Sequence, residues 1–208
     1  MAKNILLLGA SGTAGSGVRK ALLSQTDAYL TLVSRHANQL TPNLKREKLA
    51  QLDVHDHDAL IKAMKGQDIV FSALSSEGDP DELARLAQDI INAMQELHLK
   101  RLIFMVAMGI YNEIPKSVGA QDNVDNNPAQ IHNLRAAKVI EGSSLDYTLL
   151  RPGFLVPGPD SVVITHRGEN VSGNTTTISS VGSVAVRLIT GDLQASRGSL
   201  GLNQPTKR

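Results

Sequence analysis

A glycine-rich turn follows the first apolar run of the chain. The run Ile5–Leu8 is typical of a buried strand, and Gly9–Gly15 leads from it into a helical pattern. Glycines let the backbone approach a pyrophosphate closely, and the free N–H groups at a helix start favour negative charge. Strand, glycine turn and helix in this order predict a dinucleotide-binding site. Its expected residues, with hydroxyl donors from the serine and the threonine, are Gly9, Ser11, Gly12, Thr13, Ala14 and Gly15.

Two other chemistries of such a turn are disfavoured. A nucleophile elbow requires Gly-x-Ser-x-Gly, and Thr13 stands where its last glycine would be. A triphosphate-binding loop ends in Lys-Ser or Lys-Thr, and this turn contains no lysine. A serine hydrolase and a triphosphatase are therefore disfavoured, and a purely structural turn stays as the alternative.

The end of the second apolar run bears on which dinucleotide binds. An NAD-specific site places an acidic residue there for the ribose hydroxyls, whereas this chain has Ser34 and Arg35. A guanidinium offers a planar cationic fork for a 2′-phosphate, and the serine adds a donor. The pair predicts NADP as the cofactor, with NADPH preferred over NADH. The alternative is a solvated arginine at a strand end.

Composition is typical of one soluble domain. The 208 residues, 41% hydrophobic and 20% charged, suit one core and predict a single domain over residues 1–208. A formal net charge of +1 and the lack of Trp argue against a nucleic-acid partner. The absence of Cys excludes disulfides, thiolate metal sites and a Cys nucleophile. Because no apolar stretch near the start has the length of a signal peptide or a membrane span, we expect a cytoplasmic protein with no membrane partner.

Short apolar runs alternate with helix-period segments up to about residue 150, which is the pattern of repeated βαβ units. Strands are predicted at 5–8, 29–33, 48–54, 69–74, 102–106 and 147–150. Helices are predicted at 56–65, at 129–143 and from Asp79 to Leu97, the last with Asp79 as its cap, Pro80 in its first turn and Glu82 completing a capping box. The expected architecture is α/β: one doubly wound, mostly parallel sheet (a Rossmann fold) in the order 3-2-1-4-5-6, with a small irregular C-terminal part.

The polar segment Gly109–Pro128 is predicted to be a long surface loop. The chain leaves little room for a separate substrate domain. We therefore expect a shallow pocket formed by residues 108–128 and 153–160.

Several motifs together resemble the atypical short-chain dehydrogenase/reductases. They are the glycine turn, Ser34-Arg35, Asp53-Val54, Ala73-Leu74 and the stretch Leu145–Gly153, which reads LDYTLLRPG. Within that group the chain is most similar to the NAD(P)H-binding branch that holds flavin/biliverdin reductases and nitrogen-metabolite-repressor-type redox sensors. The resemblance covers nearly the whole chain. It implies cofactor contacts beside the adenine (Asp53, Val54), after the fourth strand (Ala73, Leu74, Ser75), after the fifth strand (Val106, Ala107) and beside the nicotinamide (Pro152, Gly153, Phe154, Leu155).

The sequence departs from this family at the positions that handle protons. Members that oxidise alcohols carry a Ser after the fifth strand and a Tyr-x-x-x-Lys on the next helix. Those positions fall on Ala107, Ala129 and Asn133 in this chain. Because neither alanine can move a proton, alcohol–ketone chemistry by that mechanism is disfavoured, whereas cofactor binding is unaffected.

Other residues of chemical interest have simpler explanations. Tyr111 is a weak candidate for a catalytic proton donor, and packing at the pocket wall is the favoured role. His55 and His57 have metal-ligand types, but no third ligand can be named, so no metal site is expected. Asp56 between them is instead predicted to cap a helix, and Lys138 to be a solvated surface charge.

The leading hypothesis is an NADPH-dependent reductase that transfers a hydride to a small-molecule acceptor such as a flavin or a quinone. Such a ring accepts a hydride and can take its proton from water, so the missing acid–base set is not needed. The alternative is a non-catalytic NADP(H)-binding redox sensor or regulator. A nucleotide-sugar epimerase is third, because the C-terminal part is short. The sequence names neither the acceptor nor the oligomeric state.

Overall fold

Ten strands and five α-helices run along residues 2–76 and 78–204, which are the residues that this computed structural model describes. The strands are β1 (Asn4–Leu8), β2 (Tyr29–Ser34), β3 (Glu47–Gln51), β4 (Ile69–Ser72), β5 (Arg101–Met105), β6 (Asp146–Pro152), β7 (Phe154–Val156), β8 (Val163–His166), β9 (Thr175–Thr177) and β10 (Gly198–Asn203). The α-helices are α1 (Thr13–Gln25), α2 (His57–Met64), α3 (Glu82–Glu96), α4 (Ile131–Glu141) and α5 (Ile178–Thr190). Among these residues, no helix combines the length and apolarity that a bilayer crossing requires.

The main sheet has eight strands in the spatial order β3-β2-β1-β4-β5-β6-β10-β8. Every neighbouring pair is parallel except β10 and β8, which are antiparallel. The predicted doubly wound sheet with the order 3-2-1-4-5-6 is therefore confirmed. A separate two-stranded parallel ribbon joins β7 to β9.

The C-terminal part is more regular than the sequence predicts. Strand β10 continues the sheet beside β6, β8 closes its edge, and α5 packs against α1. The expectation of an irregular segment is wrong. Strand β10 is not recognised in the sequence because Gly198 and Gly201 weaken its strand pattern. Gly201 is required by packing, since a Cβ there would collide with the side chain of Thr165 on β8. The tail 205–208, whose position at the chain end predicts fraying, lies outside the described residues.

Both faces of the sheet are buried, as a parallel sheet covered by helices requires. Successive residues of β1 point to opposite faces, so that Leu6 and Leu8 belong to one apolar cluster and Ile5 and Leu7 to the other. Helices α2, α3 and α4 contribute to the first cluster, and α1 and α5 to the second. The sheet is therefore a rigid platform whose strand ends position the loops.

Helix ends agree with the sequence in one case and differ in another. Asp56 caps α2 by accepting a hydrogen bond from the Ala59 amide at 3.0 Å, as predicted. Helix α3 begins at Glu82, with Asp81 in the N-cap position, rather than directly after the predicted cap Asp79. The Asp79 carboxylate instead accepts from the amide of Asp81 and pairs with Arg85, which closes a turn before the helix. The predicted capping box is thus wrong.

The segment Gly109–Pro128 is a long loop, but its description as a surface loop is wrong in part. Ile110, Glu113, Ile114 and Asn123 are all buried. The Asn123 carboxamide donates to the carbonyl of Ile114 at 2.8 Å and accepts from its amide at 3.0 Å. These bonds satisfy the backbone amide and carbonyl of the buried Ile114 and tie the two halves of the loop together.

Candidate functional site

A depression of about 520 Å³ lies at the carboxyl ends of β1, β2 and β4. This is where an open α/β sheet binds its ligands. It brings together ten of the sequence-predicted residues, namely Gly9, Ser11, Gly12, Ser34, Arg35, Asp53, Val54, Ala73, Leu74 and Ser75. We call it the first depression. The sequence missed further lining residues, among them His36, Leu52, Glu82 and Leu86.

The three glycines of the turn have different roles. Gly9 has a φ of +77°, and a Cβ there would lie 2.7 Å from the Ala73 carbonyl oxygen. A Cβ at Gly15 would collide with the Gly9 carbonyl. Gly12 has an ordinary φ of −75°, and a Cβ there would approach only the Gly9 oxygen, at 3.4 Å. Gly9 and Gly15 are therefore required by packing, whereas Gly12 leaves space in the depression that it lines.

The backbone N–H groups at the start of α1 are not capped by any side chain. Gly12 is the N-cap, no side chain bonds there, and the first turn has no acidic residue. Helical geometry leaves the first amides, those of Thr13 and Ala14, without intrahelical acceptors. These N–H groups and the helix dipole suit a phosphate. Thr13, Ala14 and Gly15 do not line the depression, so the hydroxyl donor predicted from Thr13 lies outside its wall.

Polar groups line the end of β2. The Ser34 hydroxyl lies 2.9 Å from the Ser11 hydroxyl and accepts from the His36 amide at 3.1 Å. Arg35 is exposed at the rim of the depression. Within the described residues its guanidinium has no hydrogen bond or ion pair, unlike that of Arg19, which is paired with Glu47. The rim therefore offers a free cation to an anionic ligand.

The opposite wall is held by His55. Its ring nitrogens lie 2.6 Å from the Asp89 carboxylate and 2.9 Å from the Glu82 carboxylate, both on α3. Hydrogen bonds to Glu82 and Asp89 raise the pKa of His55. His57 pairs with Glu96 in the same way, at 3.0 Å. Both histidines therefore tie the segment after β3 to α3, and the described residues contain no group of three that could hold a metal ion.

A second depression of about 110 Å³ lies past the ends of β5 and β6. The two segments predicted to form a pocket, 108–128 and 153–160, contribute part of its lining. The contributing residues are Met108, Ile114, Asp122, Gly153 and Phe154. The predicted Ala107 and Pro152 line it as well, and Gln130 and Asn174 complete it. Val106 and Leu155 do not line it: the Val106 amide donates to the Leu150 carbonyl, and Leu155 packs against the core.

Gln130 and Asn174 could not be found from the sequence. Gln130 ends a short 3₁₀ turn, Pro128–Gln130, which Asn127 caps by accepting from the Ala129 amide. Asn174 lies beside the β6–β7 junction because its carbonyl accepts from the Phe154 amide at 2.8 Å. Only the tertiary pairing of β7 with β9 brings it there. The neighbouring Ala129, predicted to replace the family's tyrosine, is exposed.

Tyr111 lines neither depression. Its hydroxyl donates to the Glu141 carboxylate at 2.6 Å. The guanidinium carbons of Arg167 and Arg151 lie 4.2 Å and 5.1 Å from the centroid of its ring. Burial, together with the hydrogen bond to Glu141, raises the pKa of Tyr111 strongly. A hydroxyl held in this way is a poor proton donor to a ligand, which supports the packing role.

Comparisons with known proteins agree with this geometry. A Rossmann-fold NAD(P)-binding family protein from Shigella flexneri is 30% identical, with a TM-score of 0.80, over 100% of this chain and 96% of that one. A short-chain dehydrogenase/reductase from Veillonella parvula, solved with NADP, is 22% identical, with a TM-score of 0.85, over 99% and 96% of the two chains. ChuY, an anaerobillin reductase from Escherichia coli O157:H7, is 17% identical, with a TM-score of 0.76, over 99% and 98%.

A search of curated proteins found no match. The family model described as NAD(P)H-binding matches residues 9–192, which include the glycine turn and both depressions. The chain therefore belongs to the NAD(P)H-binding family of Rossmann-fold proteins.

Proposed function

We propose that the protein is an NADPH-dependent reductase that delivers a hydride to a conjugated small-molecule acceptor such as a flavin or a quinone. The observation that carries the proposal is the space at Gly12. A Cβ there would meet only the Gly9 oxygen, at 3.4 Å, and the position lines the first depression beside the uncapped start of α1. A site for a bulky anionic group explains why this residue is a glycine.

The lining residues suit the parts of NADPH. The amides at the start of α1 would bind the pyrophosphate, and Ser34 and Arg35 the 2′-phosphate. Asp53 and Val54 would border the adenine, with Leu74 and Leu86 as apolar neighbours. Ala107 and residues 152–155 would flank the nicotinamide at the second depression. The cofactor, when bound, supplies the hydride.

The chain's own residues bind and orient but need not supply a proton. Ala107 lines the second depression and has no titratable group. Met108, Ile114 and Pro152 give that depression apolar walls, which would contact the faces of a ring bound there. A conjugated ring accepts a hydride directly, and solvent can then protonate the reduced ring. This is why a flavin or a quinone suits the site better than a simple ketone.

The test is NADPH oxidation measured with a panel of flavins, quinones and simple carbonyls. We expect turnover with at least one conjugated acceptor and none with simple ketones. The Gly12→Val variant is the matched control, because it should fold and lose the activity together with cofactor binding. Turnover of simple ketones alone would contradict the proposed acceptor class.

A second candidate is a redox sensor that binds NADP(H) without turnover. The methyl group of Ala107 at the second depression favours it, because no proton donor of the family's type stands there. Tight NADPH binding, with no oxidation by any acceptor in the panel, would select the sensor over the reductase.

A further inference from the structure

The second depression holds polar side chains that have no partner. The side-chain oxygen of Gln130 is buried and accepts no hydrogen bond within the described residues. Asn174 and Asp122 line the same space, and among residues 2–76 and 78–204 neither side chain has a hydrogen-bond or ion-pair partner. Nearly all buried polar atoms in folded proteins have partners. An unpaired oxygen at a cavity wall therefore indicates a donor that the ligand brings.

The rest of the lining is apolar and suits the faces of a ring. Met108 and Ile114 are buried, and Pro152 lies at the end of β6. Phe154 is 59% exposed, so that a large aromatic ring stands open to solvent beside the depression. The volume of about 110 Å³ is close to that of a cavity that accepts one benzene ring, roughly 150 Å³.

We propose that Gln130 and Asn174 recognise a planar ring by its amide or imide edge, and that they determine which ring enters the second depression. A carboxamide presents a donor and an acceptor side by side, which complements an edge that alternates N–H and C=O. The carboxylate of Asp122 can accept but not donate hydrogen bonds, so it adds a preference for an N–H on that edge. The inference rests on the proposed function, since it names the ring chemistry of the same site.

Two rings of the proposed reaction carry such an edge. One is the nicotinamide of the cofactor, through its carboxamide. The other is a flavin acceptor, through the imide of its pyrimidine ring. A quinone such as menadione has carbonyls but no N–H. These ligands therefore separate the two sources of the amide edge.

The experiment compares Gln130→Met and Asn174→Leu with wild type, and Gln88→Met serves as the matched control. Gln88 is an exposed glutamine of α3 that lines neither depression. Dissociation constants are measured by direct titration for NADPH and for 2′-phospho-ADP-ribose, which lacks the nicotinamide. The same titrations are run with FMN and with menadione. Losing a neutral hydrogen bond should weaken binding by about three- to tenfold.

Weaker NADPH binding with unchanged 2′-phospho-ADP-ribose binding would assign the edge to the nicotinamide. Weaker FMN binding with unchanged menadione binding would assign it to the acceptor. Unchanged affinity for both amide-bearing ligands in both variants overturns the inference, and so does an equal loss for the ligands without the edge. The proposed function fails separately, if none of the acceptors in the panel supports NADPH oxidation by the wild-type protein. The titrations measure binding and do not depend on turnover.

Discussion

Arg151 and Glu113 form an ion pair that is buried on both sides, with side chains 0% and 4% exposed. The other Glu113 oxygen accepts from the Gly168 amide at 2.5 Å, and the Arg151 Nε donates to the Ser199 hydroxyl at 2.9 Å. The pair therefore joins β6, β10, the Gly109–Pro128 loop and the turn after β8. Arg151 belongs to the Leu145–Gly153 motif, and its role here is to hold the loop that lines the second depression.

Removing one partner of this pair should destabilise the fold. Glu113→Gln keeps the shape but leaves Arg151 charged and buried, which costs about 3–5 kcal/mol. Urea unfolding measures the loss. Glu96→Gln is the control, because Glu96 forms an exposed pair with His57 and should matter little. A loss no larger than that of the control would mean that the pair does not hold the loop.

The glycines of the first turn should separate stability from binding. Gly12→Val should lower the unfolding midpoint only slightly, by the cost of a valine at an N-cap, and should abolish NADPH binding, because its side chain would project into the depression. Gly15→Ala should lower the unfolding midpoint, because its Cβ would collide with the Gly9 carbonyl. Thermal unfolding and calorimetry on the two variants check this. Undiminished NADPH binding by folded Gly12→Val would move the cofactor elsewhere.

The sequence predicts those parts of the fold that repeat a simple pattern. Strands β1, β4 and β5 are nearly continuous apolar runs, so they could be predicted from composition alone. Strand β3 reads EKLAQ, and its place follows from the repeating βαβ pattern instead. Strand β10 could not be predicted, because its two glycines lower its strand propensity, and the contact of Gly201 with Thr165 on β8 is not visible in the sequence. The start of α3 was misplaced because Asp79 bonds within a turn instead of capping the helix.

The site divides in the same way. Residues that follow predicted strands, such as Gly12 and Arg35, could be placed at the first depression because parallel strands end at one edge. Gln130 and Asn174 could not, because they are brought together by a 3₁₀ turn and by the pairing of β7 with β9. No periodicity in the chain marks such contacts.

Stability should depend on pH through His55. Its folded pKa is raised above the usual value near 6.5, so its stabilising effect is complete below that pH and is lost as pH rises through the folded pKa. The free energy of unfolding should therefore fall between pH 6 and pH 9 by more in wild type than in His55→Gln. His166→Gln is the control and should follow wild type. Parallel curves for wild type and His55→Gln would exclude this contribution.

Simple secondary alcohols should not be oxidised at an appreciable rate. Position 107 is an alanine and position 129 is an exposed alanine, so neither can take the proton. NADP⁺ reduction in the presence of an alcohol panel checks this. If an alcohol is turned over at an ordinary dehydrogenase rate, Tyr111→Phe decides whether that residue acts. We expect Tyr111→Phe to leave the turnover rate unchanged, because the Tyr111 hydroxyl donates its hydrogen bond to Glu141.

Arg35 should give the protein a preference for NADPH over NADH. The 2′-phosphate carries nearly two negative charges, and a guanidinium can meet two of its oxygens at once. A hydrogen bond to a charged group contributes roughly 1.5–3 kcal/mol, so one contact gives about tenfold discrimination or more. Dissociation constants for both cofactors, on wild type and Arg35→Ala at two salt concentrations, measure it. The preference should fall in the variant, and in wild type it should weaken with salt because the arginine is exposed.

Arg135→Ala, at an exposed arginine of α4 that lines neither depression, should keep the wild-type preference. A preference that survives in Arg35→Ala, or equal affinities in wild type, would remove Arg35 from the site, because no other unpaired guanidinium lines the first depression within the described residues.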